Sequence, residues 1–428
     1  MLRCCGRATK EDIHHPPAAR GIVVSCWAES FWMELRGDTI AKLMNSGAVA
    51  LLDAQWLVDF ARSGSTLRPR QSLPYEAFVS VDQLKSAQID AEYLRVVAVS
   101  HMWLTPLHPD PYGTTLQLLA RVLSTFLAAG DSFTKLGVFF DYCSLLQHPD
   151  PENGIFRTAA EDDLFRQGLG GLASLYSHQY TFVFKVTTLP TGYPNGYALP
   201  AGAGVAAYDS RGWCFTESSW ASMTKKGFLT LDLSHALEAH GEVVTEYSAL
   251  LGRCAYQTRR PPPLPEQFEA ELLSRSFTNG RTDRPLVTRL YSDTFCGELG
   301  RVTRLVYRAV HWDDDDAVQL AAIAALGAMR NVEVLDLNTN DVGERGAVAI
   351  AEAIQMLPKL TMLNLYDNPR IRPDGEGGRA LRAAVEGKPI RLHLRSSDIP
   401  RGQLEKQVYE GVAAARTGGS TAGDVQAV

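Results

Sequence analysis

Short apolar segments alternate with helix-like segments between residues 95 and 233, and this alternation limits the possible folds more than any other feature of the chain. Strand character occurs at 95–100, 136–142, 180–188 and 227–233, and helical periodicity at 114–130, 160–177 and 211–223. Strands separated by helices pair in parallel, with helices on both faces of the sheet. The sequence therefore predicts an α/β domain with a parallel, doubly wound sheet over residues 93–258.

The residues before this domain show a helical pattern. Apolar side chains recur at helical spacing over 28–44 and again over 49–60, and Gly47 is a plausible stop between them. We expect a helical N-terminal segment over residues 21–92, preceded by a disordered N-terminus over residues 1–20. No residue pattern in this part of the chain indicates chemistry.

A proline-rich stretch, RRPPPLPEQ, follows the α/β domain at residues 259–267. Consecutive prolines favour an extended, stiff backbone, which is typical of linkers between domains. We expect residues 259–300 to form this linker and a helical connector, with few contacts across the boundary.

An internal repeat of 28 residues follows the connector. The first unit has Val332, Leu335, Leu337 and Asn340, and the second has Leu360, Leu363, Leu365 and Asn368 at matching places. The L-x-L-x-x-N pattern resembles leucine-rich repeats of the ribonuclease-inhibitor type, in which each unit is one strand and one helix. We expect a short repeat arc over residues 301–415, with outer units at 302–307 and 390–394, and a disordered tail over residues 416–428.

Charge and cysteine content exclude several classes of protein. The chain has 42 Lys and Arg against 48 Asp and Glu, a net charge of −6, which disfavours nucleic-acid binding. The seven cysteines are odd in number and form no C-x-x-C motif, so we expect neither a disulfide framework nor a metal site. No signal peptide or transmembrane segment is visible, and we expect a cytoplasmic protein; acylation of Cys4 or Cys5 stays open.

The most informative local motif is RGWCFTESSW at residues 211–220. On a helix, Trp213 and Glu217 are four residues apart and share a face. A carboxylate beside a tryptophan at a sheet edge is a candidate functional group, because partial burial changes its protonation. The alternative is that Trp213 packs in the core while Glu217 is solvated. Ligands of parallel sheets bind at the carboxyl ends of strands, which places Ser100 and Asp141 near any site.

The order of four motifs resembles that of heterokaryon-incompatibility domains and of the related Toll/interleukin-receptor (TIR) domains. VAVSHMW (97–103) ends a strand in a serine shortly before a tryptophan, and FFDYCSLLQ (139–147) runs from an apolar strand into an aspartate. LASLYSH (172–178) and RGWCFTE (211–217) complete the order. The resemblance implies a TIR/flavodoxin-like sheet and, since enzymatic TIR domains cleave NAD, an NAD glycohydrolase that needs no cofactor.

The resemblance also implies roles for individual residues. Glu217 is the expected catalytic carboxylate, partly exposed, which stabilises the oxocarbenium-like state as nicotinamide leaves. Asp141 contacts ribose hydroxyls or caps the next loop, and Trp213 walls the pocket or packs. Ser100 and Trp103 are further candidate substrate-binding residues.

Two functions from different classes follow from these observations. In the first, the protein is a self/non-self or other signalling protein, whose NAD-cleaving domain is controlled by a protein partner bound to the repeats; self-association of the α/β domain is a further expectation. In the second, both domains form a non-catalytic scaffold for protein contacts.

Asp313–Asp316 most simply cap the following helix rather than bind calcium.

Overall fold

Two β-sheets organise the part of the chain that the computed structural model describes, which comprises residues 28–90, 92–130, 134–199, 205–255, 259–277 and 280–398. The predictions of disorder for residues 1–20 and 416–428 lie outside these ranges. The first sheet has six strands and the second has four.

The six-stranded sheet has the order β2-β1-β4-β3-β5-β6. Its strands are β1 (Leu51–Asp53), β2 (Phe78–Val79), β3 (Val96–His101), β4 (Gly137–Phe139), β5 (Phe182–Val186) and β6 (Thr230–Asp232). β4, β3, β5 and β6 run parallel, whereas β1 is antiparallel to both of its neighbours. Every residue of β3 is buried, as expected for a central strand with helices on both faces. The mixed α/β class with a parallel central sheet is therefore confirmed.

Helices cover both faces of this sheet. They are α1 (28–34), α2 (Asp38–Asn45), α3 (Ala54–Arg62), α4 (Val81–Ala87), α5 (Thr114–Ala128), α6 (Asp141–Ser144), α7 (Ala159–Tyr176), α8 (Gly212–Ala221) and α9 (Tyr247–Cys254). Val97 and Val99 of β3 pack towards α3, α5 and α9, while Val96 and Ala98 pack towards α2, α7 and α8. In the ranges given above, no helix combines the length and the apolar character needed to cross a membrane.

The N-terminal segment is not purely helical, which corrects the sequence prediction. Residues 51–53 form β1 instead of the start of a helix, and β1 pairs with β4 at the edge of the main sheet. Leu51 and Leu52 are both fully buried, one on each face of the sheet. Such a short apolar run has no periodicity that separates a strand from a helix. Asp53 then accepts hydrogen bonds from the Gln55 and Trp56 amides and starts α3.

The strand order creates a crevice at one end of the sheet. β4 lies on one side of β3 and β5 on the other. The crossover from β3 to β4 and the crossover from β4 to β5 therefore run in opposite directions across the sheet. Ligands of open parallel sheets bind at such a switch point, outside the carboxyl ends of the strands. Ser100 and His101 end β3 at this place, and α8 packs against them.

The four-stranded sheet repeats one unit of strand and helix. Its strands are β7 (Arg304–Val306), β8 (Val334–Asp336), β9 (Met362–Asn364) and β10 (Arg391–His393), and its helices are α12 (Asp314–Ala325), α13 (Glu344–Ala353) and α14 (Glu376–Val385). All neighbouring strands are parallel, and Leu335 pairs with Leu363 as the 28-residue period predicts. Leu335, Leu337, Leu363 and Leu365 are buried. Asp313 caps α12 by accepting hydrogen bonds from two amides, as expected.

The proline-rich stretch differs from the expected linker, because it is packed between the two sheets. Pro261 and Pro262 are buried, and the Pro263 carbonyl accepts a hydrogen bond of 2.7 Å from the Tyr291 hydroxyl. The connector helices α10 (Pro265–Leu272) and α11 (Gly280–Leu299) continue this contact. One cluster of buried apolar side chains extends from Trp32 to Leu381 across the whole boundary. Prolines limit the backbone but leave their apolar rings free to pack.

This shared core predicts cooperative unfolding. Phe268 of α10 is fully buried, and its ring stacks on Tyr291 at 3.8 Å. Phe268→Ala should lower the free energy of unfolding by about 3–5 kcal/mol through lost contacts and a cavity. Calorimetry should show both sheets unfolding in one transition at a lower temperature. Phe156→Ala, at a position that is 59% exposed, is the control and should change little. Two separate transitions in the wild type would contradict a shared core.

Candidate functional site

Helix α8 brings Glu217 to the carboxyl end of β3. Most of this helix is buried, which is typical of a helix that packs on two sides. Its N-terminus lies close to the connector, because a Cβ atom on Gly212 would come within 2.0 Å of the Phe277 ring. Glycine at this position therefore permits the approach that sets the height of Glu217 above the sheet.

The Glu217 carboxyl belongs to a buried hydrogen-bonded group. Ser100 Oγ donates to Glu217 Oε2 at 2.5 Å, and it also lies 2.5 Å from the Tyr208 hydroxyl oxygen. The Tyr208 hydroxyl lies 3.1 Å from Ser218 Oγ. Ser100 is inaccessible to solvent, and Glu217 is only 8% exposed. The expectation of a partly exposed glutamate is therefore wrong, because spacing along a helix does not reveal what covers the helix.

The environment of Glu217 favours its neutral form. Burial raises the pKa of this carboxyl to about 8, the Ser100 hydrogen bond lowers it, the charge of Asp141 raises it further, and a hydrogen bond with Tyr176 lowers it. At neutral pH the carboxyl is therefore mostly protonated. Hydroxyl groups can donate or accept, so the same cluster accommodates the protonated and the ionised carboxyl.

A second group of polar side chains surrounds Asp141 at the end of β4. Asp141 Oδ2 accepts a hydrogen bond of 2.7 Å from the Trp103 indole, and Oδ1 accepts one of 2.6 Å from the Tyr142 amide. The Asp141 side chain is 27% exposed. These contacts support both readings of Asp141, since it bonds the first turn of α6 and its side chain remains partly exposed.

His101 also belongs to this group, although the sequence indicated no role for it. Its Nε2 lies 3.5 Å from Asp141 Oδ1 and has no hydrogen-bond partner among the residues described. Burial lowers the pKa of the imidazole, and the charge of Asp141 opposes this effect. Because side chains alternate along a strand, Ser100 and His101 face opposite sides of the sheet. The sequence signal that could have identified His101 is its position next to Ser100.

The structure brings four of the five candidate residues together in two pairs. Ser100 contacts Glu217, and Trp103 contacts Asp141. Trp213 instead donates its indole N–H to Asp283 Oδ2 of α11 at 2.9 Å. The side chain of Trp213 is therefore bound to the connector, while Glu217 of the same helix is bound to the sheet.

Two tyrosines complete the surroundings of Glu217. Tyr176 belongs to the LASLYSH motif, although no contact with Glu217 was predicted for it, and sequence reasoning missed Tyr208. The Tyr176 hydroxyl, on α7, donates to the Val99 carbonyl at 2.9 Å. Tyr208 precedes the RGW motif by only three residues, and it is 2% exposed. Burial raises the pKa of both phenols well above its usual range, so both are neutral hydrogen-bonding groups.

The described residues between β5 and α8, 187–199 and 205–211, contact this end of the sheet. The Tyr193 hydroxyl donates to the Leu104 carbonyl at 2.8 Å, and the Tyr112 hydroxyl donates to the Gly196 carbonyl at 2.5 Å. Leu189 packs against Met102, Tyr208 and Cys214. These contacts explain why Ser100 and Glu217 have so little access to solvent.

Within the described ranges, no group of three or more His, Cys, Asp or Glu side chains is arranged to hold a metal ion. Comparison with models of protein families, with curated proteins and with solved structures found no match to this chain.

The buried carboxyl should make stability depend on pH. Folding raises the pKa of Glu217 from 4.5 to about 8, so the folded state binds the proton more tightly and loses stability as pH rises through this interval. Glu217→Gln keeps a neutral side chain at every pH. The variant should match the wild type near pH 4 and should exceed its free energy of unfolding at pH 9 by about 3–5 kcal/mol.

Denaturant unfolding of both proteins between pH 4 and pH 9 measures this difference. Glu352→Gln is the matched control, because Glu352 is exposed on α13. Parallel pH curves for the wild type and Glu217→Gln would contradict a buried carboxyl with a raised pKa.

Proposed function

We propose that the α/β domain cleaves the bond between nicotinamide and ribose in NAD. One observation carries this proposal: the Glu217 carboxyl of the RGWCFTE helix reaches Ser100 at the switch point of the parallel sheet, 2.5 Å from its hydroxyl. Two motifs that are far apart in the sequence, VAVSHMW and RGWCFTE, thus meet in one polar cluster. Their meeting supports the resemblance to TIR and heterokaryon-incompatibility domains on which the proposal also depends.

The chemistry requires one negative group beside the breaking bond. Nicotinamide departs as a neutral molecule from a cationic pyridinium, water adds to the ribose carbon, and a proton is released, so the products are ADP-ribose and nicotinamide. The ribose passes through an oxocarbenium-like state, which an ionised Glu217 would stabilise. A cationic substrate next to this carboxyl would favour its ionised form and lower its pKa.

Asp141 is proposed to bind substrate rather than to react. Its carboxylate is held by the Trp103 indole and remains 27% exposed, so one oxygen can still accept a hydrogen bond from a ribose hydroxyl. Trp103 is proposed to fix the direction of this carboxylate. Ser100, already bound to Glu217, would orient the reacting carboxyl.

The four-stranded sheet β7–β10 and the helices α12–α14 form the repeat module. This module is proposed to recognise a protein partner and thereby control the α/β domain. Its parallel strands pair at the period of the leucine-rich-repeat resemblance.

The described cysteines, Cys143, Cys214, Cys254 and Cys296, are free thiols, which supports a reducing compartment such as the cytoplasm.

A non-catalytic scaffold is the second candidate, and the burial of Glu217 favours it. A carboxyl that is 8% exposed and already hydrogen-bonded to Ser100 is satisfied within the protein. In this case the polar cluster stabilises the packing of α8 on β3, and the repeats make the protein's contacts. Product analysis after incubation with NAD separates the two functions.

If NAD is the substrate, Glu217→Gln should reduce kcat by about 10²–10³ because it removes one electrostatic contact with the transition state. Asp141→Asn should raise KM more than it lowers kcat, since it acts on binding. Wild-type kcat/KM should increase with pH up to about 8, as Glu217 of the free protein ionises. Release of nicotinamide is measured for each variant, and Glu352→Gln should behave as the wild type. Absence of turnover from pH 6 to pH 9 would leave the scaffold.

A further inference from the structure

Helix α8 is bound to the connector by a polar contact at its first turn. The Trp213 indole donates to Asp283 Oδ2 at 2.9 Å, and both side chains are half-buried. Backbone hydrogen bonds flank this contact, because the Gly212 amide donates to the Ser276 carbonyl at 2.8 Å and the Ser276 amide donates to the Ser210 carbonyl at 2.9 Å. The Ser276 hydroxyl also donates to the Ser210 carbonyl at 3.1 Å, so four hydrogen bonds join the start of α8 to the connector.

Aromatic packing extends the contact along α8. The Phe215 ring stacks on Phe268 at 5.2 Å, and Phe268 stacks on Tyr291 at 3.8 Å. The Arg275 guanidinium lies over the Phe215 ring, 4.5 Å from the ring centre. Stacked rings in a dense core resist sliding, so a shift of the connector would move α8.

The connector is continuous with the repeat module. Val287, Tyr291, Phe295 and Leu299 form the buried side of α11, the helix that carries Asp283. Their side chains share one apolar cluster with Tyr307 and Trp312, which precede the first repeat helix. A rigid path of packed residues therefore runs from the first repeat unit to Trp213.

Glu217 lies on α8 one helical turn after Trp213. The groups that surround this carboxyl are Ser100 of β3, Tyr176 of α7, Asp141 of α6, Tyr208 and the Cys214 thiol. The distances from Ser100, Tyr176 and Asp141 to the carboxyl depend on how closely α8 approaches the sheet. A contact that fixes the position of α8 consequently affects the hydration of Glu217.

We propose that Asp283 is a positioning residue, which through Trp213 holds α8 against β3 and so couples the repeat module to the Glu217 carboxyl. This inference rests on the proposed function, in which Glu217 is the reacting group. Trp213 is then a mechanical link to the connector instead of a wall of the substrate pocket. A partner on the repeats would act on the site by shifting α11.

The test uses the full-length chain with Asp283→Ala, Trp213→Phe and both changes together. Asp293→Ala is the matched control, because Asp293 is exposed on the same helix. The readout is the infrared absorption of protonated carboxyl groups, and Glu217→Gln identifies the part that belongs to Glu217. The pH midpoint of this band reports the pKa of Glu217 without any need for turnover.

Each single change should lower the midpoint by about one pH unit, because a less tightly held α8 admits water to the carboxyl. The double variant should match the single variants, since each single change removes the same hydrogen bond between Trp213 and Asp283. Asp283→Asn keeps an acceptor oxygen and should restore most of the midpoint. Asp293→Ala should leave it unchanged.

An unchanged midpoint in both single variants would overturn the inference, and so would shifts that add fully in the double variant. A shifted midpoint in a protein that never cleaves NAD would support the positioning role and remove only the proposed function. The converse, NAD cleavage by the wild type with an unchanged midpoint in the variants, would remove only the positioning role.

Discussion

The burial of helix α8 between the main sheet and the connector is the constraint on which the rest of the molecule depends. α8 meets the end of β3 through Glu217, which bonds Ser100, and it meets α10 and α11 through Phe215 and Trp213. Without this helix the six-stranded sheet would lose the cover of its switch point, and the repeat module would lose part of its attachment. The packing of α8 therefore both positions the candidate site and attaches the connector to the main sheet.

Buried cations secure a second part of the boundary between the sheets. Lys225 Nζ is inaccessible to solvent and donates to the His178 carbonyl, to the Thr181 carbonyl at 2.9 Å and to Thr181 Oγ1 at 2.7 Å. Burial lowers the pKa of this ammonium group well below its usual range. Arg259 donates to the Lys225 carbonyl at 2.8 Å, and its own carbonyl accepts from the Trp312 indole. Because buried polar groups are costly when unpaired, these directional contacts specify one relative placement of the two sheets.

The carboxyl of Glu217 shows how packing can prepare a group for regulation. Desolvation raises its pKa to about 8, close to neutral pH, so small changes in hydration alter its charge. Tyr208 limits that hydration from one side, and the connector is proposed to limit it through its contact with Trp213. A reaction that needs the ionised form would thus respond to movements of either cover.

The sequence by itself determined the elements whose patterns are local: the parallel strands β3 to β6, the helices between them and the repeats with Leu335 and Leu363 in their cores. It also indicated that Ser100 and Glu217 belong near one sheet edge, because parallel strands end on the same side. Only the tertiary structure decided that Leu51–Asp53 is a strand, that the proline-rich stretch is packed, that Glu217 is buried under Tyr208 and that Trp213 bonds Asp283. These features arise from contacts between segments far apart in the chain, and periodicity reports which face of an element is apolar without reporting what that face meets.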